Sequence, residues 1–188
     1  MKQLIIFLAA SAVIYGCGSK SGLSDAELDA LANAKFENLT DSIEDANNKE
    51  FEQWRYESEV DEMTSEKKEY AMINSKNQVE LAFPHAGGTY ATITLRRIKG
   101  NEEVVVTVNE GQIHTEYNNP VFQVRFDENK PEFFTVNEAA DHSIDVRFIS
   151  NARKFIDLIK KSKETKIEMT FYNNGTHVFK FDTKDLKW

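Results

Sequence analysis

Residues 165–181, TKIEMTFYNNGTHVFKF, decide the fold class because they hold two alternating runs joined by a turn. Alternation with a period of two is typical of half-buried β-strands, since successive side chains point to opposite faces. The turn Asn173-Asn174-Gly175 suits a hairpin because Asn and Gly adopt positive φ at low energetic cost. The residues predicted to face the core are Ile167, Met169, Phe171, His177, Phe179 and Phe181.

Four more segments show the same alternation, and two turns resemble the first. Lys99-Gly100-Asn101 and Asn109-Glu110-Gly111 separate the runs as hairpin turns would. Segments 70–73 and 78–83 are weaker strand candidates. Six clear runs with one apolar face predict antiparallel sheets that share a core. The apolar positions in the four added runs are Ala91, Ile93, Leu95, Val104, Val106, Val108, Phe122, Val124, Phe126, Ile144, Val146 and Phe148.

One helix is predicted among the strands, over residues 152–161. Ser150 or Asn151 can cap it, and Phe155, Ile156 and Ile159 share its inward face. The predicted fold class is therefore mainly β (α+β): an antiparallel β-sandwich or strongly curved sheet with one crossing helix. This β-rich globular domain is expected to span residues 51–188.

An acidic helical arm is predicted over residues 24–50, ahead of the β-domain. Ser24 and Glu27 have the spacing of a capping box. We expect one helix from 24 to about 35 and a second from 40 to about 48. The apolar stripe is irregular, but it is sufficient to dock one side on a domain or a partner helix. Its members are Leu28, Leu31, Phe36, Leu39 and Ile43.

Charge and cysteine content exclude several classes of protein. The net charge of −8 argues against a general nucleic-acid binder, because phosphate recognition needs a basic surface. The excess acid is local: residues 25–69 hold 15 acidic and 5 basic side chains. A single cysteine, Cys17, rules out an internal disulfide and a thiolate zinc cluster.

The first residues resemble a bacterial lipoprotein signal. Lys2 precedes an uncharged apolar stretch, which is too short for a membrane span, and Ile14-Tyr15-Gly16-Cys17 follows. This stretch resembles a lipobox, although Tyr15 departs from the small residue usual there. The resemblance implies a signal peptide over residues 1–16, a lipid on Cys17 and a flexible tether over residues 17–23. Ser19 implies sorting to the outer membrane by the common rule for such proteins.

No sequence motif indicates catalysis, a metal ion or a cofactor. The four histidines lack the spacing of a metal-binding pair. Asp141-His142-Ser143 holds the residue types of a catalytic triad, but neighbours on an extended chain point apart. Asp61 with Glu62 or Glu66 offers an acid/base pair without any sign of burial. We expect no cofactor and no metal.

Basic residues on the strands are the better candidates for binding. Arg96, Arg97, Arg125 and Arg147 are predicted on the polar faces or the ends of strands, where they can form a cluster that receives an acidic ligand or the acidic arm. Scattered, exposed arginines are the simpler alternative. Arg96, Arg125 and Tyr90 are the predicted contact residues for a ligand or partner.

The β-domain is similar to the VasI-like envelope proteins associated with type VI secretion, over most of residues 54–188. That similarity implies a β-rich envelope domain without known catalysis. The paired cysteines of that family are absent, and the arm and lipid anchor lie outside the shared pattern. The residues that carry the similarity to this family are Trp54, the stretch Ser58-Glu59-Val60-Asp61-Glu62-Met63-Thr64, Thr94-Leu95-Arg96, Val124-Arg125-Phe126-Asp127, Phe155, Leu158, Phe179, Phe181 and Leu186.

Three functions follow as hypotheses. The first is a non-enzymatic outer-membrane lipoprotein whose β-domain binds another envelope component, either protein or glycan. The second is lysozyme inhibition, because Gly87-Gly88-Thr89-Tyr90 looks like the Ser-Gly-x-Tyr loop of periplasmic lysozyme inhibitors, with Gly in place of Ser. The third is an envelope hydrolase that uses carboxylates near Asp61.

Overall fold

A computed structural model describes residues 25–51, 53–85 and 87–188, and its architecture is mainly β, as predicted. Within these ranges there are two helices and ten strands. The elements are α1 (Asp25–Phe51), β1 (Arg55–Val60), β2 (Lys67–Asn74), β3 (Ala91–Ile98), β4 (Asn101–Val108), β5 (Ile113–His114), β6 (Val121–Phe126), β7 (Glu132–Glu138), β8 (Val146–Ile149), α2 (Ala152–Ile159), β9 (Glu164–Phe171) and β10 (Gly175–Asp182).

The strands form one antiparallel sheet in the order β1-β2-β3-β4-β8-β7-β6-β9-β10, and β5 pairs with β9. Two of the three predicted turns close hairpins, whereas Asn109-Glu110-Gly111 connects β4 to β5, which do not pair with each other. Lys99 and Gly100 have φ of 53° and 77° between β3 and β4, and Asn173 and Gly175 have φ of 58° and 71° between β9 and β10. Two consecutive positive φ values, as at Lys99 and Gly100, give a turn whose twist matches that of the strands it joins.

The sheet is strongly curved, so that residues near one end bond to the strand at the other end. The amide of Lys76, just after β2, donates to the carbonyl of Lys180 on β10 over 2.7 Å. The side chain of Asn77 accepts from the amide of Lys180 and donates to the carbonyl of Val178. These bonds occupy backbone groups on the outer edge of β10, which would otherwise be open to pairing.

A single apolar core fills the inner face of this curved sheet. The alternation predicted for β3, β6, β9 and β10 is confirmed, although His177 is half-buried; in β4 the predicted inward residues are buried, but Val105 between them is buried too. Helix α2 covers part of the core, and the side chain of Asn151 caps it by accepting from the amide of Lys154. Phe155 packs edge-to-face on Phe126 and Phe134, with ring centres 5.5 and 5.4 Å apart. The predicted helix and its inward face are therefore confirmed.

In strand β8, Arg147 lies on the buried face, not on the polar face or the strand end where it was predicted. The arginine is buried at 5% exposure, whereas Ile144 is 50% exposed. Burial is tolerated because the guanidinium donates to backbone carbonyls, including those of Ile113 at 2.6 Å and Val146 at 2.7 Å. Burial also lowers the pKa of Arg147. Phe148 points outward instead, and the guanidinium of Arg96 lies 5.2 Å from the centre of its ring.

Four strand predictions need correction. Strands β1, β5 and β7 were not predicted: β1 has no buried residue, β5 has only two residues, and Phe133-Phe134 in β7 interrupts the alternation. Segment 78–83 contributes an isolated bridge, from Val79 to Thr89, instead of a strand. Segment 70–73 is confirmed as part of β2.

Helix α1 is continuous, so the predicted interruption after residue 35 is wrong. The hydroxyls of Thr40 and Ser42 donate to the carbonyls of Phe36 and Asn38, four residues earlier, which accommodates them within the helix. Residues 29–42 are all exposed. The boundary between two compact units of the chain falls within this helix, between residues 44 and 45.

The predicted lipid-attachment residue Cys17 lies outside the described residues, as do the signal segment 1–16 and the tether 17–23. Their roles stay predictions. In the part of the chain that the structure describes, no helix combines the length and the apolar character needed to cross a membrane.

Candidate functional site

The structure does not bring the predicted contact residues Arg96, Arg125 and Tyr90 together. Arg96 on β3 pairs with Glu103, whereas Arg125 on β6 pairs with Glu128 at 2.5 Å. Four strand spacings separate β3 from β6, or about 19 Å along the sheet. Tyr90 precedes β3, six residues from Arg96, which corresponds to about 20 Å of extended chain. No single site is built from these three side chains.

The predicted acid/base residues near Asp61 form a turn between β1 and β2. One carboxylate oxygen of Asp61 accepts from the amides of Met63 and Thr64, at 3.0 and 2.9 Å. The bonds from Thr64 and Met63 lower the pKa of Asp61. Glu66 forms an ion pair with Lys99 at 3.0 Å. Asp61 is therefore held ionised in a turn, which is the wrong protonation state for a general acid.

In the glycine loop with Tyr90, which suggested lysozyme inhibition, Gly87 is exposed but the residues that follow are not. Gly88 is buried with φ of 84°, and Thr89 is fully buried and bridged to Val79. The Tyr90 ring packs edge-to-face on Phe51, with ring centres 4.9 Å apart. The loop is thus packed into the domain.

A charged row of side chains lies at the rim of the core, one step beyond its last apolar row. By the strand register, Ser58, Glu69, Arg97 and Glu102 lie opposite one another across β1 to β4. Directly opposed residues of antiparallel strands share a face of the sheet. The neighbouring row on the same face is Tyr56, Ala71, Leu95 and Val104, of which the last three are fully buried.

Arg97 connects the carboxylates of this row. Its guanidinium lies 3.1 Å from a carboxylate oxygen of Glu69 and 2.6 Å from one of Glu102. The bond from Arg97 lowers the pKa of Glu102, and bonds from Lys67 and then Arg97 lower the pKa of Glu69. The hydrogen bond with Glu102, and to a smaller extent that with Glu69, raises the pKa of Arg97. Glu69, Arg97 and Glu102 are consequently ionised at neutral pH and hydrogen-bonded to one another through Arg97.

Segment 184–188 lies over this charged row. The ring of Trp188 lies 4.6 Å from the guanidinium of Arg97, and its indole nitrogen donates to Glu102 at 3.2 Å. The amide of Lys187 donates to the hydroxyl of Tyr56 at 2.8 Å. We call this charged row, with Tyr56 and segment 184–188, the rim site.

A buried cluster of hydroxyl groups anchors the start of that segment. Ser162, Thr165 and Thr183 bond to one another through their hydroxyls at 3.0 to 3.2 Å. The carbonyl of Thr183 in turn accepts from the indole nitrogen of Trp54 at 3.4 Å. The cluster therefore positions both the segment and Trp54.

Two adjoining pockets open at the rim site. The rim pocket, about 370 Å³, is lined by residues that include Tyr56, Glu69, Arg97, Lys187 and Trp188. The tail pocket, about 290 Å³, is lined by residues that include Trp54, Tyr56, Asp182, Lys184 and Lys187. Tyr56 and Lys187 line both pockets.

Two other pockets lie on the outer face of the sheet. Arg125 lines one of about 190 Å³ together with Val178, and Phe133 lines the other, of about 280 Å³. Neither combines half-exposed aromatic rings with a fixed ion-pair network as the rim site does. In the described ranges, no three His, Cys, Asp or Glu side chains converge in a way that could hold a metal ion.

Sequence reasoning missed most of the rim site. It singled out Ser58, Arg97 and Leu186, and Trp54 beside the site, but not Tyr56, Lys187 or Trp188. The alternation of Trp54, Tyr56 and Ser58 was the available signal, because it assigns these side chains to one face of a strand. Comparison of the chain with protein-family models, with curated proteins and with solved structures finds no match.

Proposed function

We propose that this chain is a lipid-anchored protein of the bacterial cell envelope whose β-domain binds another envelope component and catalyses no reaction. The lipobox-like stretch that ends at Cys17 supports the anchor, and Ser19 supports an outer-membrane location. Two or more acyl chains on Cys17 would give durable anchoring, whereas one chain binds a membrane only marginally.

The rim site is the observation that carries the binding role. Tyr56 is 44% exposed beside two pockets, and the ion pairs of Arg97 hold the surrounding polar groups in place. Preorganised groups of this kind lower the entropic cost of binding a ligand. Binding at this site is therefore favoured over binding at the scattered residues Arg96, Arg125 and Tyr90.

The carboxylates of the rim site favour binding over catalysis. A general acid or base works best with a pKa near the operating pH. The pKa values of Glu69 and Glu102 are shifted in the opposite direction, below those of ordinary glutamates. Each carboxylate already serves an ion pair with Arg97, so its role is to position other groups.

Co-sedimentation of the detergent-solubilised full chain with envelope fractions tests this proposal. Outer-membrane fragments and cell-wall sacculi are used separately. We expect Tyr56→Ala to lose most of the bound protein and Tyr172→Ala, which changes an exposed tyrosine outside both rim-site pockets, to retain it. Equal binding of the two variants, or no binding of the wild-type chain to either fraction, would contradict it.

A further inference from the structure

We infer that the rim site binds a neutral saccharide, with sugar units lying on both sides of Tyr56. This inference rests on the proposed function and names the chemical class of its ligand. Its support lies in the aromatic rings, the paired polar groups, the balance of charge and the shape of the two pockets.

The aromatic residues of the site suit the apolar faces of sugar rings. Sugars present C–H groups on one or both faces, and these pack against the flat, electron-rich face of an aromatic ring. Tyr56 is the most exposed aromatic ring of the site, and Trp54 and Trp188 are half-buried on either side of it. A ring that is partly exposed in a pocket can take such a contact without rearrangement.

The polar groups of the site suit hydroxyl groups, which donate and accept hydrogen bonds at once. Glu69 supplies acceptors and Arg97 supplies donors, and both side chains line the rim pocket. A carboxylate has about four lone-pair sites and a guanidinium has five N–H groups, so the ion pairs leave bonding capacity. A hydroxyl can use this remaining capacity without breaking an ion pair.

The charge of the site disfavours an anionic ligand. Each pocket is lined by two acidic and two basic residues, but Lys187 lines both, so the two pockets together hold four acidic and three basic residues. A phosphate, an anionic lipid headgroup or a nucleic acid would need a basic excess. The charged residues are Glu57, Glu69, Arg97 and Lys187 in the rim pocket, and Asp182, Asp185, Lys184 and Lys187 in the tail pocket.

The shape of the site favours a chain of sugars over a single unit. The pockets of about 370 and 290 Å³ meet at Tyr56 and Lys187. Ligand pockets in proteins usually measure about 300 to 1,000 Å³, so each pocket alone is near the lower limit. An oligosaccharide that crosses Tyr56 fills both pockets and gains contacts that one sugar unit does not make.

The two tryptophans make the inference directly measurable. The chain contains two, Trp54 and Trp188, and they line the tail pocket and the rim pocket respectively. Saccharide binding is followed as a change in tryptophan emission of the full chain in detergent. The probes are di-, tri- and tetrasaccharides of N-acetylglucosamine and of glucose, with polygalacturonate and inorganic phosphate as anionic comparisons.

We expect a saturable change with at least one neutral series, and an affinity that rises from disaccharide to tetrasaccharide. Tyr56→Ala should weaken binding by about tenfold, which corresponds to ~1.4 kcal/mol. Tyr56→Phe keeps the ring and should retain binding to within about threefold, and Tyr172→Ala should match the wild type. The Trp54→Phe and Trp188→Phe variants should each retain part of the emission change, because each removes one of two reporters.

Three outcomes would overturn the inference: no saturation with any neutral saccharide, equal affinity for polygalacturonate, or equal affinity of Tyr56→Ala and wild type. If any one of these occurs while Tyr56→Ala still loses its binding to envelope fractions, the saccharide inference fails and the proposed binding role survives. If binding to envelope fractions is also independent of Tyr56, both fail. Circular dichroism of Tyr56→Ala and Tyr56→Phe establishes that each variant is folded.

Discussion

The guanidinium of Arg97 lies 4.6 Å from the centre of the Trp188 ring, which joins segment 184–188 to strand β3. Arg97 also pairs with Glu69 and Glu102 on the neighbouring strands. One arginine therefore holds both the base of the rim site, in the sheet, and the segment that lies over it.

Replacement of Arg97 should release segment 184–188 while leaving the domain folded. Arg97→Gln loses a cation–π contact and two partly exposed ion pairs, so the free energy of unfolding should fall by less than about 2 kcal/mol. In a Trp54→Phe background, acrylamide should quench the emission of Trp188 more strongly in the variant.

The neighbouring residue provides a matched control for that experiment. Arg96 also has an ion pair, with Glu103, and a ring contact, with Phe148, but it lies on the outer face of the sheet. Arg96→Gln should therefore leave the quenching of Trp188 unchanged. Equal quenching in the two variants would show that Arg97 does not hold the segment.

The ion pairs of the rim site should make a contribution to stability that disappears in acid. Glu102 has a lowered pKa in the folded protein, so its stabilising effect is present above the ordinary glutamate value, about 4.3, and is lost as the pH falls through the lowered value. Glu102→Gln should therefore melt below the wild type at about pH 7, and the difference in Tm should shrink towards about pH 3. A difference in Tm that is constant over this range would contradict the prediction.

The buried hydroxyl cluster should be more important for stability than its small size suggests. Thr183→Val keeps the shape but removes bonds to Ser162 and Thr165, so buried hydroxyls lose partners. The free energy of unfolding in urea should fall by about 1 to 3 kcal/mol. Thr176→Val, which removes an exposed bond to Thr170, should stay within about 0.5 kcal/mol of the wild type. Equal effects of the two changes would contradict a special role for the cluster.

The fold class was predictable where one face of a strand is apolar and the other polar. Strand β9 alternates without exception, with Ile167, Met169 and Phe171 buried and the residues between them half-buried. In such a pattern only the apolar side chains can point to the core, since a shift by one residue would bury the polar side chains instead. The helix was predictable for the corresponding reason, because its buried residues Phe155, Ile156 and Ile159 recur with helical spacing.

Which residues of β8 point to the core was not predictable from local alternation. Phe148 and Ile149 are adjacent, so the pattern allows either facing, and an arginine is seldom assigned to the core. Arg147 is buried because the carbonyl of Ile113, distant in sequence, accepts one of its hydrogen bonds. A partner so far along the chain leaves no trace in the residues around position 147.

The rim site was not predicted for the same reason, because its residues are far apart in the sequence. Its residues come from β1, β2, β3, β4 and segment 184–188, and only the strand register brings Glu69, Arg97 and Glu102 into one row. The bond between Lys187 and Tyr56 joins the two ends of the β-domain. Sequence reasoning could identify charged strand ends, but not which of them meet.

The lipid anchor gives a prediction that is independent of the β-domain. Cys17→Ser should abolish incorporation of labelled palmitate, because the thiol is the attachment point that the lipobox implies. The variant should also leave the membrane fraction. A variant that still takes up label would show that this stretch is not a lipoprotein signal.

Site-specific photo-cross-linking in the cells that make the protein tests whether the rim site contacts an envelope component. A benzophenone amino acid is placed at Tyr56 in one variant of the full chain and at Tyr172 in another, since both side chains are about half exposed. We expect an adduct with an envelope component at position 56 that is absent at position 172. The absence of an adduct at position 56, or the same adduct at both positions, would contradict this expectation.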